Sequence, residues 1–221
     1  MPNDLWLSIG AILPIITLAL WACLLLLLDL AVADDRKGIT AALAALGLLV
    51  TLVVVFLRLG QSTVAFNGMI VVDGFANFVS ILLLLSGLAG IALAYDYLKR
   101  MQIERGEYYV LLLLSIAGMM LMGMSGDLIM IFLALELLSI PLYVLAGIAT
   151  PRVSSEEAAI KYFLLGSFSS GFLLFGTALV YGATQSTGLA QIVAVVQGGE
   201  YSAALILSGA ALILVGLGFK V

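Results

Sequence analysis

The chain has 221 residues, 64% of them hydrophobic and 10% charged, with a net charge of −4, no histidine and one cysteine. A soluble domain is about 45–50% apolar and about 25% charged, so this chain has too little polar surface to cover itself and its solvent is largely lipid. The missing histidines exclude a His-ligated metal or a bis-His haem. The single Cys23 excludes an iron–sulfur cluster or an internal disulfide built from this chain, and the Lys and Arg residues form no run suited to nucleic acid.

Apolar runs of about 20 residues suit membrane helices, whereas barrel strands alternate apolar and polar over about 10. The fold class is therefore an all-α integral membrane protein. Polar and glycine-rich punctuation predicts about seven spans, at 5–28, 38–57, 74–95, 108–125, 128–149, 157–182 and 203–221. The opening MPNDLW has no basic region, and the first run ends at Leu28–Asp29 without a small-residue cleavage site, so a cleavable signal peptide is not expected.

The connections around 58–73 and 183–202 read as loops. Connections after the first, third and fifth spans carry Arg36, Lys37, Lys99, Arg100, Arg105 and Arg152, while the alternate ones carry only Arg58. Basic loops stay in the cytoplasm, which puts the loops near Arg36, Lys99 and Arg152 inside and the N-terminus outside. Trp6, Trp21, Tyr95, Tyr97, Tyr108 and Tyr109 read mostly as interface anchors. Asp29, Asp34, Asp35, Asp96, Glu104, Glu107 and Glu200 read as interface or loop acids, and Asp73 and Asp127 as helix starts.

Three ionisable residues lie inside the later spans, and such residues are costly in lipid and functional by default. Glu136 is nine residues past Asp127, about 13 Å along a helix at about 1.5 Å per residue and close to the midplane of a core about 30 Å thick. There it can take up and release a proton. Pro141 removes the hydrogen bond to the Leu137 carbonyl and predicts a distortion beside the site. The plainer reading is a glutamate that ties two helices together.

Lys161 follows the cap-like Ser154–Ser155–Glu156–Glu157 start of the sixth span. The short TPRVSSEE loop makes the fifth and sixth spans antiparallel neighbours, so Glu136 and Lys161 are expected to pair. Alternatively Lys161 snorkels to the interface. The small face Gly166, Ser167, Ser170 and Gly171 suits close helix approach. Lys220 follows Gly216 and Gly218, which predict an unwound helix around a proton relay; its alternative is a lysine at a helix end. The seventh run reaches Lys220–Val221 without a polar flank, as an unfinished segment of a longer chain would.

The tracts LALELLSIPLYVLAG (133–147), EEAAIKYFLLGSFSSGFLLFGTALVYGATQSTGL (156–189) and VGLGFK (215–220) resemble the antiporter-like membrane subunits of respiratory complex I, the NADH–quinone oxidoreductase of bacteria. Leu135 before the glutamate, where sister subunits M and L typically have Trp, favours the subunit N (subunit 2) branch. The resemblance implies an N-terminal half, with a three-helix segment at 1–106 and a truncated first inverted repeat at 107–221, its seventh helix discontinuous. It implies proton translocation through Glu136, Lys161 and Lys220, in a non-redox subunit of the enzyme. NADH, FMN, iron–sulfur clusters and quinone would belong to other subunits, with no cofactor in this chain. It further implies the bacterial inner membrane, and as partners the other membrane subunits, the lipid bilayer and protons. A subunit of a multi-subunit cation/proton antiporter shares these motifs, and a structural scaffold whose charges only hold helices together is a third possibility.

Overall fold

The computed structural model describes residues 2–32, 37–199 and 201–220; Asp34, Asp35, Arg36, Glu200 and Val221 lie outside the described residues. The first apolar run is two helices, α1 (Pro2–Ala11) and α2 (Leu13–Asp29), separated at Ile12. Pro14 explains the break: it has no N–H to offer the preceding turn, and its fixed φ suits the first turn of a new helix. The following helices are α3 (Gly38–Phe56), α4 (Gly74–Met101), α5 (Glu107–Gly123), α6 (Leu128–Ala146), α7 (Val153–Thr184), α8 (Leu189–Gly198) and α9 (Ala203–Gly218). By length and apolar composition alone, α3, α4, α6 and α7 are long enough to cross a membrane, while α2, α5, α8 and α9 are shorter apolar helices.

Three further features differ from the expected layout. The 58–73 connection holds a hairpin, β1 (Thr63–Ala65) paired antiparallel with β2 (Ile70–Val72) around the turn Phe66–Gly68. Phe66, Asn67 and Gly68 all have positive φ, and an Asn-Gly step adopts that conformation cheaply. The 183–202 connection contains α8, which ends where Gly199 takes φ +76°. Helix α9 is continuous from Ala203 to Gly218, so Gly216 does not unwind it, nor does Gly218 interrupt it before its end.

Asp73 and Asp127 cap their helices as read from the sequence. The Asp73 carboxylate accepts from the Ala76 N–H at 2.8 Å, and Asp127 accepts from the Ile129 N–H at 2.8 Å. Trp21 is not an interface anchor. It lies half-buried between α2 and α3, its indole N–H donating to the Leu43 carbonyl at 2.9 Å, and Gly47 leaves room for the ring where a Cβ would overlap it. Tyr109 is likewise buried, at 3% exposure, inside the core that α2, α3, α4 and α5 share.

The connections sort onto two ends. At one end Asp29 is buried against Thr40, Lys37 and Gly106, joining α2, α3 and the start of α5, and Arg105 donates to the Thr150 hydroxyl at 2.8 Å. At the other end the hairpin, residues 124–128 and residues 187–189 run side by side. The Val71 N–H donates to the Met124 carbonyl at 2.8 Å, and the Leu128 N–H to the Thr187 carbonyl at 2.9 Å. Lys37, Arg105 and Arg152 thus share an end, as the reading from basic residues requires; Arg36 lies outside the described residues.

Candidate functional site

Helices α6, α7 and α9 build the site, and small residues let them approach. On α7, Gly176 lies against the Gly209 carbonyl of α9 at 2.6 Å from where its Cβ would stand. Seven residues further along α9, Gly216 meets Leu173 and the Ser169 carbonyl at 2.9 and 3.0 Å in the same sense. The Ser169 hydroxyl donates to the Gly216 carbonyl at 2.6 Å. A side chain on either α9 glycine would force the helices apart, so close packing is what Gly216 contributes. Gly218 has open space around it. On the α6 side, Tyr143 occupies the space over Gly166, edge-on to Tyr162 with ring centres 4.7 Å apart.

This packing carries Lys220, just past the end of α9, to the middle of α6. Its ammonium donates to Glu136 Oε1 at 2.8 Å, joining residues 84 positions apart. The lysine side chain is 6% exposed and the glutamate 26%. The same Oε1 accepts from the Ser170 hydroxyl of α7 at 2.5 Å, and Ser139, one turn beyond Glu136 on α6, stands 3.4 Å from the lysine nitrogen. Three helices therefore converge on one carboxylate oxygen. Pro141 is buried within α6, which stays helical through it. The Leu137–Leu138 backbone is crossed by α5 at Gly118, where a Cβ would collide with it.

The expected pairing of Glu136 with Lys161 does not occur. Lys161 bonds to Glu157 one turn back on its own helix, with the two side chains 68% and 59% exposed. The reason is helical phase. Lys161 and Ser170 are nine residues apart, and at about 100° per residue that is about half a turn, so when Ser170 faces Glu136 the lysine faces away. The small face divides in the same way: Gly166 and Ser170 are buried, Ser167 and Gly171 exposed.

Sequence reasoning missed Ser170, Ser139 and Ser169 as site groups. The signal was present in spacing: Gly166 and Ser170 are four apart on one face, and Glu136 and Ser139 three apart on another. It also missed the Asp29 cluster, in which Asp29 is 6% exposed, accepts from the Thr40 hydroxyl at 2.6 Å and pairs with Lys37 at 3.0 Å. Among the described residues no group of His, Cys, Asp and Glu is arranged to hold a metal ion.

A helical membrane chain with a partly buried acid–lysine pair at a three-helix junction is the class that fold and site define, and residues 125–221 match the family described as NADH:quinone oxidoreductase/Mrp antiporter, TM. More particularly, the chain is similar to NADH-quinone oxidoreductase subunit N. It is 42% identical to that subunit of Chloroflexus aggregans over 212 residues, covering 94% of this chain and 43% of the relative. It is 44% identical to subunit N 2 of Roseiflexus castenholzii over 210 residues, covering 91% and 41%. The chain thus spans less than half the length of these curated relatives. Among solved structures it resembles a chain of respiratory complex I from Thermus thermophilus with bound aureothin (TM-score 0.74, 34% identity, 93% of this chain and 43% of that one). It shares its fold with a chain of the Mrp complex from Dietzia sp. DQ12-45-1b (TM-score 0.74, 21% identity, 95% and 23%).

Proposed function

We propose that this chain is the N-terminal part of a proton-translocating subunit N of NADH–quinone oxidoreductase, with the Glu136–Lys220 pair as its protonation site. The observation that carries the reading is the 2.8 Å ion pair between α6 and the end of α9, with Lys220 only 6% exposed. Breaking such a pair leaves an uncompensated charge, so its two members change protonation together. A proton moved from the Lys220 ammonium to the Glu136 carboxylate leaves both groups neutral. Alternatively, a proton delivered from one side to the ionised Glu136 removes the charge that holds the ammonium, and Lys220 then passes its own proton onward.

In this reading the redox chemistry lies elsewhere, and NADH, FMN, iron–sulfur clusters and quinone are held by other subunits. The chain sits in the bacterial inner membrane beside sister antiporter-like subunits, with residues 107–221 as the first repeat. The end that carries Lys37, Arg105 and Arg152 faces the cytoplasm. The similarity to subunit N relatives at about 40% identity supports complex I over a cation/proton antiporter.

Glu136→Gln in the full-length chain, assembled and reconstituted in vesicles, tests the proposal. It is expected to abolish most proton pumping while assembly stays normal. Intact pumping would leave the pair with a packing role only. Copurification separates the two transport readings: redox subunits accompany a complex I subunit, and membrane subunits alone accompany an antiporter.

A further inference from the structure

The Ser170 hydroxyl stands 2.5 Å from Glu136 Oε1 and 3.0 Å from the carbonyl of Gly166, one turn back on its own helix. A hydroxyl has one proton to give and two lone pairs with which to accept, so it cannot donate to both oxygens at once. Resting on the protonation role given to Glu136 above, we infer that Ser170 is a reversible positioning residue whose single proton turns between Glu136 and Gly166 as the carboxyl changes protonation state.

When Glu136 is ionised, Ser170 donates to it and shares Oε1 with the Lys220 ammonium. When Glu136 is protonated, its O–H donates to Ser170 Oγ, and the serine proton turns to the Gly166 carbonyl. No heavy atom has to move, and in each state the serine proton has an acceptor while the Ser170–Glu136 hydrogen bond persists with its direction reversed. That matters because an unpartnered polar group at this depth is expensive. Ser170 is 9% exposed, so water offers little substitute. The glycine at 166 contributes by having no side chain, which lets Tyr143 close over this stretch of α7. The only charged side chain bonded to Glu136 among the described residues is Lys220, because Lys161 is turned to Glu157.

The test is infrared difference spectroscopy on the full-length chain in its assembled complex, with the band lost in Glu136→Gln identifying the protonated Glu136 carbonyl. Ser170→Ala is expected to move that band to higher wavenumber, because the acid loses its acceptor, and to lower proton pumping about tenfold, as loss of a hydrogen bond to a charged group does. Ser170→Thr keeps the hydroxyl and is expected to leave the band in place and pumping within about twofold. A band unmoved in Ser170→Ala overturns the inference, as does the absence of any band that Glu136→Gln removes. If Ser170→Ala changes neither band nor pumping while Glu136→Gln abolishes pumping, the serine inference fails and the function proposed above stands. Intact pumping in Glu136→Gln sinks that function instead.

Discussion

Ser169 on α7 gives its hydroxyl proton to the Gly216 carbonyl on α9 at 2.6 Å, and Lys220 lies one turn beyond that carbonyl. The bond fixes the end of α9 against α7 at the level where the lysine must turn toward α6. Replacing Gly216 by Val is expected to separate the helices, since even a Cβ would stand 2.9 Å from Leu173. Overpacking of this kind costs about 1–3 kcal/mol. Thermal unfolding of the purified full-length chain checks the cost, and loss of pumping without loss of assembly checks the displacement of Lys220. Ser169→Ala is expected to be milder, at about 1 kcal/mol.

The pairing itself can be measured by a double-mutant cycle. Residues in one ion pair are strongly non-additive, and separated residues add to within about 0.5 kcal/mol. In pumping assays Lys220→Met should cost nearly as much as Glu136→Gln, and the double variant little more than either. Lys161→Met should combine additively with Glu136→Gln. Additivity for Glu136 with Lys220 would contradict the site described here.

The Asp29 cluster makes a prediction about stability alone. Thr40→Val removes the 2.6 Å donor from a buried carboxylate, and leaving such a group short of a partner costs about 1–3 kcal/mol. Gly106→Ala should do at least as much, because its Cβ would occupy the position of the Asp29 carboxylate. Both variants should lower the unfolding temperature and leave the pumping of correctly assembled protein unchanged. Equal loss of coupling at normal stability would give the cluster a role in transport.

Sidedness is open to thiol labelling. With Cys23 first replaced by Ala, a cysteine at Arg105 or Thr150 should react with an impermeant reagent only from the cytoplasmic face. A cysteine at Gln61, beside the hairpin, should react only from the opposite face. Labelling of both from one side would contradict the two-ended arrangement of the connections, and the reverse pattern would invert the orientation.

Glu136 and Lys220 were legible because a charge in an apolar run stands out whatever the fold. Which charges meet was not legible, since that depends on the rotation of each helix about its axis. The short loop after α6 correctly implied that α7 is a neighbour; the half-turn between Lys161 and Ser170 decided which side chain faces it. The hairpin was hidden because its strands are three residues each, too short for alternation to register, although Asn67–Gly68 marked its turn. The first span read as one helix because Pro14 sits in an otherwise unbroken apolar run. The caps at Asp73 and Asp127 were readable because a cap is a local bond, settled within one turn of its own helix.

The backbone ribbon formed by β2, residues 124–128 and residues 187–189 fastens the start of α6 by main-chain bonds on both sides. The Asp127 carboxylate adds a bond from the Thr187 hydroxyl at 2.7 Å. Further along the same helix, Pro141 leaves one rung of the ladder without a donor. A rod clamped at one end and weakened past its centre has its fulcrum at the weak rung. Glu136 lies on the clamped side of that rung, so its height along the bundle is set by the ribbon and not by the part of α6 beyond Pro141.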